Sequence, residues 1–176
     1  MKNYSFQELP PQKLTENIVS FPFSLIVEDV YSHLPQEYRI EFHCVKNQLF
    51  VPRMYPVIWH GKDFCFKKLL SAEGTYLNVR KILHTLLTIY DSKWGQLNTN
   101  YLIASGNYNF NEKNQGPSKK VLVYKRYFER SEFAKEYEFY ELTDTTYIIL
   151  RDPSIPRFYE GCQLFGIYDK ERYFKI

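Results

Sequence analysis

The apolar residues Val79, Ile82, Leu83, Leu86 and Tyr90 recur every three or four positions, and Arg80, Lys81, His84, Thr85 and Thr88 fill the gaps between them. At about 3.6 residues per turn the two sets lie on opposite sides of a helix, so residues 75–91 are expected to form one with a single buried face. Thr75 suits its N-cap, where a hydroxyl accepts from a free first-turn amide; Gly74 eases the entry, and Lys93 and Gly95 suit the far end. A second helical stripe, Phe23, Ile26, Val27, Val30 and Leu34, opposes Ser24, Glu28, Asp29 and Ser32. It predicts a helix over 22–34, capped by Ser20 and stopped by Pro35. Leu25 falls on its polar side and β-branched residues are frequent, so a strand is the alternative for this segment.

Period-two alternation follows. Tyr38, Ile40, Phe42 and Cys44 alternate with Arg39, Glu41 and His43, which predicts a strand with one wet face. Apolar runs at 49–51, 57–59 and 64–66, punctuated by Pro52, Pro56 and Gly61, read as short strands, and 105–120 reads as an exposed loop. Strand signals dominate the last third, at 121–128, 136–142, 145–150, 162–168 and 172–176. The expected organisation is an extended or loosely attached N-terminal arm over 1–19, then a single α+β domain over 20–176. In that domain two amphipathic helices pack on a largely antiparallel twisted sheet, and the C-terminal third is a β-meander.

Composition narrows the classes. With 176 residues, 44% of them hydrophobic, the chain can bury one substantial core. Aromatics make up 18% and alanine occurs only at positions 72, 104 and 134, so that core is built from large flat side chains. AT-rich coding gives the same bias, so the aromatic excess is not by itself a binding signature. A net charge of +3 with both signs interspersed demands neither nucleic acid nor anionic lipid. No run approaches the roughly 18 apolar residues of a membrane span, and residues 1–17 lack a signal-peptide apolar region. A soluble protein of the cytoplasm or another reducing compartment is expected, with Cys44, Cys65 and Cys162 as free thiols. The seven glycines are scattered and form no phosphate-binding loop, so no cofactor is expected.

The first chemical candidate is the segment WHGKDFC, which brings His60 and Asp63 close to Cys65. A thiol attacks as thiolate, so a nearby base or cation would activate it. Between Phe64 and Phe66, however, Cys65 also fits a buried strand position. The order YRIEFHC, FVPRMYP, Trp59-His60, Cys65 and LNVRKILHTLLTIYD resembles the ubiquitin-conjugating enzyme family over residues 38–102. The resemblance implies a transferase that carries a modifier as a thioester on Cys65, with His60 or Asp63 assisting. Four departures stand against it. Gly61-Lys62 replaces the family's Pro-Asn, the step from His60 to Cys65 is short, a helix is expected at 22–34, and strands are expected where the family has C-terminal helices.

Two further sets carry other chemistries. His43, Cys44, His60, Cys65 and Cys162 are suitable zinc ligands, but no CxxC or HExxH spacing occurs, and alternation puts His43 and Cys44 on opposite faces of one strand, so no metal is expected. In KKVLVYKRYFER, Lys119, Lys120, Lys125 and Arg126 are interleaved with Tyr124, Tyr127 and Phe128. That combination suits single-stranded nucleic acid, although glutamates follow at once. Arg53, Met54, Tyr55 and Trp59 are the residue types of protein-binding hot spots, on a segment that Pro52 and Pro56 keep from ordinary central-strand pairing. The reading favoured by the sequence is a non-enzymatic protein-binding module, or subunit of a larger assembly, using those four residues of segment 50–60 together with the loop 105–118. A cysteine-dependent transferase and a single-strand-binding protein are the alternatives.

Overall fold

A computed structural model of the chain describes residues 2–28, 35–57, 59–60, 63–64, 76–95, 101–105, 119–143, 146–150 and 155–173. Its elements run β1 (Phe6–Glu8), β2 (Gln12–Lys13), β3 (Ile18–Glu28), β4 (Pro35–Val45), β5 (Leu49–Pro56), β6 (Trp59–His60), β7 (Asp63–Phe64), α1 (Tyr76–Lys93), β8 (Tyr101–Ser105), α2 (Lys119–Arg130), a 3-10 turn (Glu132–Lys135), β9 (Glu138–Thr143), β10 (Thr146–Leu150) and α3 (Ile155–Tyr173). The main sheet has the order β1–β3–β4–β5–β8–β10–β9, with β2 also paired to β3, while β6 and β7 form a separate hairpin. Every pairing is antiparallel except β5 with β8. The fold is α+β, as the alternating and helical patterns imply.

Three segments differ from expectation, each for a physical reason. Residues 22–28 belong to strand β3, not to a helix. Phe23, Leu25 and Val27 are buried while Ile26 is 57% exposed, a period of two in which Leu25 is in place. Phe23 and Val27 satisfy either period because four residues span both one helical turn and two strand repeats. Residues 121–128 are helical in α2, with Tyr124, Tyr127 and Phe128 buried at helical spacing and Arg126, Glu129 and Arg130 exposed. Residues 162–168 are helical in α3, burying Leu164 and Tyr168, and Pro156 sits in its first turn, where a missing amide costs little. The expected C-terminal meander is therefore reduced to the β9–β10 hairpin, flanked by helices. Of the loop expected at 105–120, Ser105 ends β8 and Lys119 and Lys120 open α2, and 106–118 lie outside the described residues.

The arm is laid against the body. β1 and β2 pair with β3, interrupted by Pro10 and Pro11, which cannot donate to a ladder. The amide of Tyr4 donates to Thr85 Oγ1 at 2.9 Å, and the Lys81 ammonium lies 4.0 Å from the centre of the Tyr4 ring. Lys46 and Asn47 both have positive φ (48° and 59°) in the turn joining β4 to β5, a conformation that Asn tolerates better than most residues.

Helices α1 and α2 cover one sheet face and α3 the other. The first interface buries Phe23, Ile40, Phe42, Phe50, Leu86, Ile89, Tyr90 and Phe128 among others; the second joins Ile18, Val45, Leu49, Val51 and Ile103 to Leu164 and Tyr168. Among the described residues no helix is long and apolar enough to cross a membrane. Phe42 is fully buried and meets Phe23 edge-on at 5.9 Å and Trp94 at 5.1 Å. Phe42→Ala is expected to cost about 3–5 kcal/mol in urea denaturation, and Ile26→Ala less than about 0.5 kcal/mol. Equal losses at the two positions would contradict the burial pattern of β3 and β4.

Candidate functional site

Strand β5 divides Arg53, Met54 and Tyr55, three of the candidate partner-binding residues, between two faces. Ile40 pairs with Met54 and Phe42 with Pro52, so Met54 turns toward α1 and packs on the core. Glu41 pairs with Arg53 and Arg39 with Tyr55, which puts Arg53 and Tyr55 on the α3 face beside β4's polar residues. Trp59 pairs with Phe64 and His60 with Asp63 in the β6–β7 hairpin. Cys65 lies outside the described residues.

On the α3 face a hydrogen-bonded chain crosses from helix to sheet. Tyr168 Oη is 3.0 Å from His43 Nδ1, His43 Nε2 is 3.2 Å from Glu41 Oε2, and the Tyr55 hydroxyl donates to Glu41 Oε1 at 2.5 Å. An ionised carboxylate only accepts, so Nε2 carries a proton, while Nδ1 accepts from the Tyr168 hydroxyl when the ring is neutral and donates to its oxygen when the ring is protonated. Burial pushes the Glu41 carboxyl up, but hydrogen bonds from His43 and Tyr55, with the charges of His43 and Arg53, outweigh it and hold the group below its usual range. Tyr55 is pushed up by its own burial and by the Glu41 carboxylate, so its phenol stays protonated as a donor. His43 and Tyr168 are both buried. Beyond this chain, Glu37 accepts from Ser24 Oγ at 2.8 Å and from Arg39 Nη2 at 3.1 Å.

No family model, curated protein or solved structure matches the chain. Of the four departures from the ubiquitin-conjugating pattern, two disappear: 22–28 is a strand, and helices occupy much of the last third. The missing asparagine and the short step from His60 to Cys65 remain. Cys44 is buried on the core face, its thiol pushed up to about 12 by desolvation, and burial raises Cys162 as well, the opposite of an activated nucleophile. Among the described residues no group of three His, Cys, Asp or Glu side chains is placed to hold a metal.

On the other side of the molecule, Lys119 and Lys120 open α2, Lys125 is half-buried and Arg126 is exposed. Tyr124, Tyr127 and Phe128 turn into the core instead of forming a platform for bases. Arg126 and Arg130 face Arg80 and His84 of α1 across a cleft of about 280 Å³, which Tyr127, Ser131 and Glu132 also line. Sequence reasoning missed both the hydrogen-bonded chain and the cleft. The spacing of Arg80 and His84 on one side of α1 is visible in the sequence, but Arg126 and Arg130 join them only once 121–128 is read as a helix.

The depressed Glu41 sets the sign of a pH effect. Its contribution to stability is complete above the unfolded value near 4.5 and is lost as pH falls through the lower folded value. In denaturant melts the wild type should exceed Glu41→Gln at neutral pH, and the gap should close on acidification below about pH 4.5. A gap that persists unchanged in acid would show that the carboxylate form is not what the fold prefers.

Proposed function

We propose that the chain is a protein-binding module that docks its partner on the sheet face carrying Arg39, Arg53, Tyr55 and Ile26. The observation that carries this reading is the register. Ser24 lies opposite Arg39 and Arg39 opposite Tyr55, Glu41 opposite Arg53, and Ile26 opposite Glu37. The four side chains therefore form one patch across three adjacent strands, whose spacing is about 4.8 Å. Tyr and Arg are the residue types on which interface energy concentrates, and Ile26 offers an exposed apolar contact beside them.

Rigidity favours this face further. Tyr55 is held by Glu41, Glu41 by His43 and His43 by Tyr168, so the aromatic ring is set before any partner arrives. A side chain that is already ordered avoids roughly 0.5–1.5 kcal/mol of immobilisation cost on binding. The matching surface is a protein with an apolar side chain for Ile26 and the Tyr55 ring, and carboxylates for Arg39 and Arg53. Met54, half-buried against the core, supports the strand from behind, and Trp59 continues the chain just past it.

Photo-crosslinking tests the reading. A benzoylphenylalanine placed at position 26 should give one saturable protein adduct that unlabelled chain competes away and that Tyr55→Ala with Arg53→Ala abolishes, melting being checked in parallel. The same probe at the exposed position 129, on α2, should not give it. Adducts of equal yield at both positions, or none at position 26, would sink the assignment of this face.

A further inference from the structure

The cleft between α1 and α2 is built from two helical pairs. Arg80 and His84 are four residues apart on α1, Arg126 and Arg130 four apart on α2, so each pair lies on one side of its helix and the two sides meet. We propose that this cleft binds the phosphate of a small, hydroxyl-bearing phosphomonoester. It lies on the opposite sheet face from Arg53 and Tyr55, so it stands independently of the protein-docking reading.

The donors fit that chemistry. A monoester phosphate is a dianion near neutral pH with three terminal oxygens, and guanidinium forks meet such groups with paired hydrogen bonds. His84 Nδ1 is 2.9 Å from the Tyr127 hydroxyl. In the neutral tautomer that accepts from that hydroxyl, and in the protonated ring that donates to its oxygen, Nε2 carries a hydrogen that can be donated to a ligand oxygen. Ser131 adds a hydroxyl to the lining, and Glu132 an acceptor suited to a ligand hydroxyl.

Size and surrounding charge argue for a compact ligand over a polymer. A volume of about 280 Å³ sits just below the usual range of small-molecule pockets, roughly 300–1,000 Å³. The chain that follows α2 carries exposed Glu132, Glu136 and Glu138, and α2 itself exposes Glu129. An extended phosphate backbone leaving the cleft over this segment would meet a series of carboxylates, whereas one terminal phosphate avoids them. The buried Tyr124, Tyr127 and Phe128 also leave a nucleic-acid strand without the ring faces on which its bases would stack.

Calorimetric titration of the full chain with glycerol phosphate is the test, with glycerol, inorganic phosphate and a short oligothymidylate bearing hydroxyl ends as comparisons. Saturable binding of glycerol phosphate is expected, with none of glycerol and weaker binding of the other two. Both arginines of α2 are exposed, so Arg126→Ala and Arg130→Ala should fold normally while weakening the affinity about tenfold or more each. Arg130→Lys, which keeps the charge but loses the fork, should fall between. Absence of saturation up to concentrations on the order of 10 mM would overturn the site. Inorganic phosphate binding as tightly as the ester would overturn the ligand class, as would oligothymidylate binding more tightly with a steep dependence on salt.

Discussion

The packing of Trp94 at the end of α1 is the contact on which the rest of the molecule depends. Its ring stacks on Phe50 at 4.5 Å, meets Phe42 at 5.1 Å and Phe21 at 5.4 Å, and so touches β5, β4 and β3 at once. One residue thereby pins the helix to the three longest strands of the sheet. The next residue, Gly95, has no room for a side chain, because a Cβ there would lie 2.5 Å from Asp91 Oδ1 and 2.6 Å from the Tyr137 hydroxyl. That hydroxyl donates to Asp91 at 2.6 Å, so the chain leading into β9 is tied to the same point. With the C-terminal end of α1 fixed, Arg80 and His84 in its first half are carried to α2, and the cleft follows from the packing.

The opposite face is organised by polarity. Isolated on a sheet, Glu41 and His43 would each be an expensive group to desolvate. Linked in a chain from Tyr168 to Tyr55, all the polar atoms named in that chain find partners, and the cost is offset by hydrogen bonds strengthened by the low dielectric around them. The arrangement also joins two functions of the sheet surface. Apolar contacts from Val45, Leu49 and Val51 seat α3 on one half, and the polar chain carries that seating across to the half where the half-buried Tyr55 and Arg53 stand. A second tie, Glu171 accepting from Thr15 and Asn17, holds the end of α3 against the N-terminal arm.

What was legible in the sequence was the part whose periods are unambiguous. Val79 to Tyr90 fit only a helix, and Tyr38 to Cys44 fit only a strand, so α1 and β4 were readable, as was the α+β class. Phe23 and Val27 fit both periods, and Leu25 alone separated them, which is why β3 resembled a helix. In α2 and α3 the aromatic and β-branched residues give high strand propensity, yet burial at Tyr124, Tyr127 and Phe128 and at Leu164 and Tyr168 follows the helical period. There tertiary packing overrides a propensity worth only tenths of a kcal/mol per residue. Arg53 and Tyr55 were visible as hot-spot types, but their separation from Met54 required the register. The hydrogen-bonded chain was hidden because Tyr168 is 125 residues from His43. The cleft was hidden because its two arginine-bearing sides come from helices, one of them read as a strand.

Strands β4 and β5 show how one sheet supports two unrelated surfaces. Ile40, Phe42, Cys44, Phe50 and Met54 point to the aromatic layer under α1 and α2, while Arg39, Glu41, His43, Arg53 and Tyr55 point the other way. Because side chains alternate with period two, a slip of one residue would drive the charged set into the aromatic layer and strip the opposite face of its hydrogen-bonded chain. The register is thus enforced by both faces together, by burial on one and by polar pairing on the other. No side chain belongs to both sets. The apolar layer between them separates the guanidinium-lined cleft from the Tyr55 patch, so each surface is free to carry its own chemistry while sharing the stability of a single core.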